Sequence, residues 1–374
     1  MPEKEKRRAV YQDSKEKQLM KGNDAIAEAA IRAGCSAYFG YPITPQNEII
    51  TYMAAHMLKQ GRVFIQAESE IAAINMVYGA SAAGARAMTS SSSPGISLKQ
   101  EGISYAAGAD IPLVVVNVAR GGPGLGSIAP SQSDYFQATR GGGHGDYHSL
   151  VLAPKSVQEC ADLTYLAFDL ADQYRIPVIV LLDGVIGQML EGVVLPPERS
   201  LSELPPRDWT VGAMAHRDSR HISSLELVPE QMEAKTRERF LRYETIKTAE
   251  TRFEALGFDR GPVDLVLVAY GTSARVCLGA KQLAAQAGLT LGLFRPITLW
   301  PFPFEALSDH VREGTPVLTV EMSLGQLLED VRLAVLGKAP VQVLGHCGGV
   351  IPTEEEVLAQ AKRLIMEKRD QRST

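Results

Sequence analysis

Cysteine is scarce in this chain, which contains four cysteines among 374 residues. The four, Cys35, Cys160, Cys277 and Cys347, lie far apart in the sequence and form no CxxC pair. Zinc knuckles and ferredoxin-like iron–sulfur motifs require closely spaced cysteines, so the sequence encodes neither. We expect reduced thiols that are mostly buried, and no metal ligands on this chain.

Long apolar runs and basic clusters are also missing. No apolar stretch reaches the roughly 18 residues of a membrane-spanning helix, and the first residues, MPEKEKRRAVYQDSKEKQ, lack the apolar core of a secretion signal. The formal net charge of -5 is spread along the chain, without the concentrated positive charge of a nucleic-acid-binding protein. We therefore expect a cytoplasmic protein that binds neither membranes nor nucleic acid.

What the chain does have is a regular alternation of helix and strand patterns. Its 374 residues, 45% of them hydrophobic, suffice for two domains of roughly 150 to 200 residues each. The elements predicted in the N-terminal part are helices at residues 24–33, 69–83, 97–108 and 156–174, with Gly22 and Asn23 as the first cap, and strands at residues 37–39, 63–66, 86–90, 113–119 and 177–182. This order predicts a doubly wound parallel-sheet α/β domain over residues 16–195.

The character of the chain changes after this predicted domain. Residues 196–262 are polar and rich in proline, with a charged helical stretch at 230–251, and we interpret them as an interdomain connection. A second alternation then predicts a smaller α/β domain over residues 263–374. Its strands are expected at residues 264–270, 289–295, 316–321 and 341–344.

The first candidate site is the segment GYPITPQNEII, which follows the first predicted strand. The structural interpretation makes Thr44 the N-cap and Pro45 the first residue of a helix over residues 45–57. The functional interpretation adds that the turn lies at the carboxyl edge of a parallel sheet, where open α/β folds bind ligands. The two interpretations are compatible.

The second candidate is QAESEIAAINMVYGASAAGA, in which Glu68 and Glu70 precede an Ala-rich helix. Acidic residues in a first helical turn ordinarily complement the helix dipole. The residues after Glu70, however, are almost all apolar or small, so its carboxylate would lie against a packed surface. A carboxylate in that position needs a partner, and a ligand nitrogen would serve.

The third candidate is Arg120, which ends the apolar run of residues 113–119 and precedes the Gly-rich loop of residues 121–148. It is either a surface arginine at a strand end or a guanidinium that holds a substrate carboxylate in two hydrogen bonds. The GxGxxA match at residues 124–129 is a poor dinucleotide-binding motif. Such a motif belongs to the first βα turn and runs directly into a helix, whereas two prolines flank this one. His144 and His148 are expected to be loop residues near the pocket.

These segments, in this order, resemble one family. YPITP, then ESEIAAI, then NVARGGPG with GGGHGDYH downstream are similar to the pyrimidine-binding domain of the 2-oxoacid:ferredoxin oxidoreductases. SQSDYFQATRGGGHGDY resembles the branched-chain type, which acts on 2-oxoisovalerate (3-methyl-2-oxobutanoate). VAYGTSARV, LFRPITLWPFP and VEMSLGQLLEDVRLAV resemble the transketolase-C-terminal-like domain of the same family. The resemblance covers nearly the whole chain from about Leu19 and implies a thiamine-diphosphate enzyme of anaerobic metabolism.

The resemblance implies a role for each candidate. Glu70 corresponds to the family's pyrimidine-activating glutamate, with Glu68 as the fallback. Arg120 takes the position of the active-site arginine that holds the substrate carboxylate. Thr44 takes the position of a threonine that hydrogen-bonds the substrate oxygen on which negative charge develops. Tyr41 and Pro42 are implied to contact the cofactor.

The same resemblance implies that the chain is one subunit of a hetero-oligomer. The sequence has no GDG motif with a downstream asparagine to hold magnesium and diphosphate. The family places those ligands on a β subunit and the iron–sulfur clusters on other chains, including a small ferredoxin-like subunit beside a γ subunit. The implied reaction converts a 2-oxoacid and coenzyme A to acyl-CoA and CO2 and reduces ferredoxin.

The sequence leaves three alternatives open. In the first, the substrate is 2-oxoglutarate, pyruvate or an aryl pyruvate, for which the loop of residues 121–148 is the discriminating feature. In the second, the chain is half of a non-oxidative thiamine-dependent decarboxylase or of a transketolase-like enzyme. In the third, it is an inactive scaffold that only binds a partner subunit.

Overall fold

The computed structural model describes residues 16–211, 220–259 and 261–371. Most of the charged N-terminal segment and part of the predicted connection therefore lie outside the described residues. The strands are β1 (Gln18–Lys21), β2 (Ala37–Gly40), β3 (Val63–Gln66), β4 (Ala87–Ser91), β5 (Leu113–Ala119), β6 (Leu150–Leu152), β7 (Pro177–Asp183), β8 (Leu190–Val193), β9 (Phe253–Leu256), β10 (Leu265–Val268), β11 (Leu291–Pro296), β12 (Thr298–Trp300), β13 (Val317–Glu321) and β14 (Val341–Gly345).

Helices alternate with these strands along the chain, as the sequence patterns predict. They are α1 (Gly22–Arg32), α2 (Asn47–His56), α3 (Glu70–Ala82), α4 (Ser93–Gly108), α5 (Tyr135–Thr139), α6 (Val157–Tyr174), α7 (Gly184–Gln188), α8 (Pro229–Glu250), α9 (Gly271–Gln286), α10 (Phe304–His310), α11 (Gln326–Val335) and α12 (Glu354–Gln371). Short 3-10 turns cover Leu58–Gln60 and Leu201–Glu203.

The larger sheet has the strand order β12-β6-β7-β5-β4-β2-β3. Its strands run parallel, except that β12 pairs antiparallel with β6. Every residue of the central strands β5 and β7 is buried, as expected for parallel strands covered on both faces. This confirms the prediction of an α/β fold with a parallel sheet.

A second, smaller sheet has the order β14-β13-β10-β11-β9. Within this sheet the described strands pair in parallel, except that β9 pairs antiparallel with β11. β1 and β8 form a separate antiparallel pair. The strand β12 lies in the C-terminal part of the sequence but completes the edge of the larger sheet. The division into residues 16–195, 196–262 and 263–374 stays a prediction.

Buried polar groups join the two α/β parts. The side chain of Gln132 donates to the Tyr270 carbonyl (2.9 Å) and accepts from the Ser273 hydroxyl (2.8 Å). The buried carboxylate of Asp183, at the end of β7, accepts from the backbone and the hydroxyl of Thr272 at the start of α9. Burial raises the pKa of Asp183, and these hydrogen bonds oppose that effect. The larger sheet is thus held against the first turn of α9.

The prediction that Asn23 caps the first helix is wrong. The helix begins at Gly22, and Asn23 is fully buried in its first turn. Its amide donates to the Pro45 carbonyl (2.8 Å) and to the carboxylate of Glu48 (2.9 Å). A contact with a distant turn therefore outcompetes the local capping role that a short polar side chain usually takes.

The helix expected over residues 45–57 begins later than predicted. Thr44 is not its N-cap and Pro45 is not its first residue, because α2 begins at Asn47 with Gln46 in the cap position. Residues 41–45 instead form a separate turn between β2 and α2. The prediction misses this because the carbonyl groups of the turn are hydrogen-bonded by side chains from other elements.

Three of the cysteines, Cys35, Cys160 and Cys277, are buried, and Cys347 is exposed. All four are free thiols, which agrees with the prediction of mostly buried, unpaired cysteines. Within the described ranges, no helix combines the length and the apolar character needed to cross a membrane.

Candidate active site

The predicted site residues follow the carboxyl ends of adjacent strands in the larger sheet. The turn with Tyr41, Pro42 and Thr44 follows β2, Glu70 follows β3, and Arg120 follows β5. The strand β4, which lies between β2 and β5, leads into the N-terminus of α4. The fold therefore brings all the predicted site residues to one edge of the sheet, where open α/β folds bind ligands.

Glu70 occupies the first position of α3. The hydroxyl of Ser69 caps the helix by accepting a hydrogen bond from the Ala72 backbone (3.1 Å). Glu70 is only 7% exposed, and its carboxylate accepts no hydrogen bond from a described residue. The helix N-terminus favours a negative charge here, but burial without a partner is costly. The carboxylate therefore has unused capacity for a ligand.

A glycine makes room for this carboxylate. A Cβ atom on Gly95, in the first turn of α4, would lie 2.6 Å from Oε1 of Glu70 and closer still to Oγ of Ser91. The Ser91 hydroxyl is itself buried with no hydrogen-bond partner among the described residues. The Glu70 carboxylate thus lies against backbone at the positive end of a second helix, α4.

The fallback candidate Glu68 has a different environment. Its side chain is exposed, whereas Glu70, two residues later, is buried against α4. An exposed carboxylate is solvated and needs no further partner. The structure therefore favours Glu70 over Glu68 as the residue that a ligand would engage.

The turn between β2 and α2 is fixed by hydrogen bonds to its backbone carbonyls. Gln46 donates to the Tyr41 carbonyl (3.1 Å), and Gln188 joins Asn23 in donating to the Pro45 carbonyl (3.0 Å). The side chains of Pro42 and Thr44 remain exposed, and that of Tyr41 is partly buried. The turn is thus held in place by its backbone while these three side chains stay accessible.

Arg120 reaches the same turn. Its Nη1 donates to the Thr44 carbonyl (2.9 Å) and its Nη2 to the Leu125 carbonyl (3.4 Å), so the structure brings Arg120 and Thr44 together. The residue is 7% exposed, its Nε has no partner, and it forms no ion pair with a described residue. A buried guanidinium with free donors and no counter-charge suits an anionic ligand.

A network of hydrogen-bonded polar side chains contacts the backbone of Arg120. The hydroxyl of Ser93, at the start of α4, accepts from the Arg120 backbone (3.0 Å) and donates to Asp134 (2.7 Å). Asn117 of β5 also donates to Asp134 (2.8 Å). Burial raises the pKa of Asp134, while these two hydrogen bonds favour its charged form. The N-terminus of α4 thus contacts both Arg120 and Glu70.

The Gly-rich loop after Arg120 does not form a dinucleotide-binding turn. Ser127 donates to the Gly121 carbonyl (2.8 Å) within the loop, and its hydroxyl donates to the Gly348 carbonyl (3.2 Å). The next helix, α5, begins only at Tyr135. The GxGxxA match therefore lacks the helix that a diphosphate would require.

The two loop histidines have different surroundings. His148 stacks on Trp300 with ring centroids 4.5 Å apart and packs edge-on against Tyr243 of α8. Burial lowers the pKa of His148. His144 is exposed and contacts Tyr105 through its ring. His148 is thus part of an aromatic cluster, which no sequence pattern predicts.

Several residues that shape the site escape sequence reasoning. They are Asn23, Gln46, Gln188, Ser93, Asp134, Gly95 and Lys99. The serines of residues 90–93 look like a short low-complexity tract in the sequence, but all four are buried. The available signal is the Ser-Pro pair at residues 93–94, because proline is common in the first turn of a helix.

Family models match most of the chain. The model described as "Pyruvate flavodoxin/ferredoxin oxidoreductase, thiamine diP-bdg" matches residues 28–253. The model described as "Pyruvate:ferredoxin oxidoreductase core domain II" matches residues 263–357. The fold and these matches define a thiamine-diphosphate-binding protein of the α/β class.

Relatives and solved structures agree with these matches. The ketoisovalerate oxidoreductase subunit VorB of Methanothermobacter marburgensis is 45% identical over 94% of this chain and 99% of its own. The structure of the 2-oxoglutarate:ferredoxin oxidoreductase from Magnetococcus marinus, with 2-oxoglutarate, coenzyme A and succinyl-CoA bound, is 30% identical over 96% of this chain and 67% of its own, with a TM-score of 0.82. A split-gene transketolase, 12% identical, covers 93% of this chain and 99% of its own with a TM-score of 0.59, which shows a shared fold alone.

The chain therefore belongs to the 2-oxoacid:ferredoxin oxidoreductase family. It is a subunit of such an enzyme, and its fold is the thiamine-diphosphate-binding, transketolase-like α/β fold that the resemblance implied. The buried Glu70 carboxylate, which has no hydrogen-bond partner among the described residues, fits a nitrogen of the cofactor's aminopyrimidine ring, which offers hydrogen-bonding groups. No group of three or more His, Cys, Asp or Glu side chains within the described ranges is arranged to hold a metal ion.

Proposed function

We propose that this chain is the α subunit of an enzyme that oxidises a branched-chain 2-oxoacid such as 2-oxoisovalerate. The 2-oxoacid and coenzyme A would give acyl-CoA and CO2, and the two electrons released would pass to ferredoxin. The 45% identity to a ketoisovalerate oxidoreductase subunit over nearly the full length of both chains supports this substrate class.

The proposal depends chiefly on the burial of the Glu70 carboxylate and on its lack of a hydrogen-bond partner among the described residues. This carboxylate is buried, lies between the N-termini of α3 and α4, and has no partner among the described residues. When bound, thiamine diphosphate supplies the carbon nucleophile that attacks a 2-oxo group. Glu70 would hydrogen-bond the cofactor's pyrimidine ring nitrogen and so set the protonation of the ring.

Arg120 and Thr44 would act on the substrate. The free donors of the Arg120 guanidinium suit the carboxylate that every 2-oxoacid carries, and its hydrogen bond to the Thr44 carbonyl fixes the two residues relative to each other. The exposed hydroxyl of Thr44 would hydrogen-bond the oxygen on which negative charge develops. Tyr41 and Pro42 would contact the cofactor from the same turn.

The remaining parts of the active site are expected on partner chains. We propose that a β subunit holds magnesium and the diphosphate, and that γ and ferredoxin-like subunits complete a cytoplasmic complex that carries the iron–sulfur clusters. The support is the family membership together with the missing GDG and cysteine motifs of this sequence.

Replacing Glu70 by glutamine in the assembled enzyme tests the proposal. Glutamine keeps the size of the side chain but removes its charge, so turnover should fall by roughly 100-fold or more, the general scale for losing a positioned acid–base group. Glu68→Gln is the matched control, because Glu68 is exposed, and its turnover should stay near that of the wild type. Both complexes should contain all their subunits in gel filtration. Near-normal turnover of Glu70→Gln in an intact complex would exclude this role.

The relative with 2-oxoglutarate bound raises a second substrate, 2-oxoglutarate. Comparing kcat/KM for 2-oxoisovalerate and 2-oxoglutarate with the purified complex decides between them. The branched-chain proposal requires the higher value for 2-oxoisovalerate.

A further inference from the structure

A lysine without any exposed surface lies beside Glu70. Lys99 is on α4, one turn after Gly95, and its side chain is fully buried. Among the residues that the structure describes, its Nζ donates one hydrogen bond, to the backbone carbonyl of Glu70 (3.3 Å), although an ammonium group can donate three. A methionine would fill a similar space without the cost of burying a charge. Packing alone therefore does not account for a lysine at this position.

The packing of α3 on α4 fixes this arrangement. One turn beyond Glu70, the side chain of Ile74 lies against Gly102, where an added Cβ would come within 2.6 Å of it. Gly95 and Gly102 thus let the two helices approach closely at both ends of the contact. Lys99 lies between these two glycines in the sequence of α4, so its ammonium is held at the first turn of α3.

Glu70 is the ionisable group whose charge acts on Lys99. Burial lowers the pKa of Lys99 from 10.5 to about 8, and the negative charge of Glu70 opposes this effect. Other titratable residues on α4 and on the strands and helix packed against it are Glu101, Tyr105, Tyr78 and Asp183. None of these contributes to the Lys99 shift. Glu101 is exposed and accepts a hydrogen bond from the Tyr105 hydroxyl, and Asp183 accepts one from the Thr272 hydroxyl.

We propose that Lys99 is a positioning residue for Glu70, whose buried ammonium holds the first turn of α3 and supplies a positive charge beside the Glu70 side chain. The inference rests on the proposed role of Glu70 and extends it to a second helix. A cation in the same low-dielectric wall attracts the Glu70 carboxylate and so limits the positions that it can take. The hydrogen bond to the carbonyl orients the backbone of Glu70, and the charge attracts its side chain.

A double-mutant cycle on the full chain tests the pair without any cofactor. Urea unfolding at pH 7 would be measured for the wild type, Lys99→Met, Glu70→Gln and the double variant. Because Glu70→Gln leaves the ammonium without its counter-charge, Lys99→Met should be more favourable in that background than in the wild type. We expect the two effects to differ by at least fivefold in the unfolding equilibrium constant, within the range for interacting residues. The cycle of Lys99→Met with Glu101→Gln is the control and should be additive.

The pH profile of the assembled enzyme tests the same charge during turnover. If activity requires the protonated lysine, kcat of the wild type should decline as pH rises through about 8, the pKa of Lys99. In Lys99→Met, kcat should be lower at pH 7, and this decline should be absent. A lysine with a merely structural role would lower kcat at every pH and leave the shape of the profile unchanged.

Additive unfolding free energies, or a Lys99→Met profile that keeps the decline near pH 8, would overturn the inference. Failure of the proposed function gives a different result, because Glu70→Gln would then turn over normally while the coupling between Lys99 and Glu70 in the unfolding cycle persists.

Discussion

Adding one methyl group to Gly95 should move the Glu70 carboxylate while leaving the fold intact. The new Cβ would lie 2.6 Å from Oε1 of Glu70, which is closer than ordinary van der Waals contact allows. The atoms in its way are Oγ of Ser91 and both Oε1 and Cγ of Glu70, all of them side-chain atoms. The whole Glu70 side chain must therefore shift, and a misplacement of roughly 1 Å is the scale that costs an active site about 100-fold in rate.

The stability of Gly95→Ala should change little. Replacing glycine by alanine within a helix typically stabilises a protein by about 0.5–1 kcal/mol, because the unfolded chain loses conformational freedom. The displaced side chains offset part of this gain. Gly79→Ala on α3 is the matched control, since a Cβ there meets nothing within 4 Å. It should bring the full gain in stability and no loss of turnover.

The assay is coenzyme A-dependent reduction of a low-potential dye by 2-oxoisovalerate, measured with complexes assembled from each variant. Urea unfolding of the three chains would run in parallel. We expect kcat of Gly95→Ala to fall by roughly 100-fold, with unfolding free energy within about 1 kcal/mol of the wild type. A Gly95→Ala enzyme with turnover within twofold of Gly79→Ala would refute the argument that the Glu70 carboxylate must lie against α4.

Three further results are expected. Arg120→Lys should lower kcat/KM by a factor of roughly 10 to 1,000 for 2-oxoisovalerate, pyruvate and 2-oxoglutarate alike, because lysine lacks the two-pronged geometry for a carboxylate; unchanged values for all three would return Arg120 to a structural role. Since the folded pKa of Lys99 lies below its unfolded value of 10.5, the wild-type chain should gain stability as pH rises from about 8 towards 10.5. Urea unfolding should show that this gain is lost in Lys99→Met. The separated chain should contain no iron by metal analysis and should bind thiamine diphosphate only weakly by calorimetry, and submicromolar binding would contradict this.

The order of elements at the site edge was predictable because each strand carries its own local signal. The bounds of β3 and β5 match the prediction, and α3 differs by one residue at each end. Glu70 and Arg120 followed from their positions after these strands together with the family resemblance. Their functional roles stay predictions.

The partners of these residues were not predictable in the same way. Gly95 and Lys99 lie beside Glu70 on another helix, and a single sequence does not show which residues of two helices will contact each other. The helix α4 begins four residues earlier than predicted, so the prediction assigned Gly95 and the serines just before it to a loop. Asn23 shows the opposite error, because a strong local cap signal was overridden by its bond to Pro45.

The strands β6 and β12 were missed for a simpler reason. Each has three residues, which is too short for an alternation pattern to emerge. β12 also pairs with a strand that is distant in the sequence, so no turn signal links the two.

That pairing has a consequence for how the protein is made. While the ribosome synthesises the chain, β6 is already available at residues 150–152, but its neighbour β12 appears only at residues 298–300. Until then β6 is an unprotected sheet edge, the kind of surface that recruits strands from other molecules. A fragment that ends within the predicted connection would keep this edge permanently. We therefore expect such fragments to aggregate, and the larger sheet to be completed only after residues 298–300 of the C-terminal part have been synthesised.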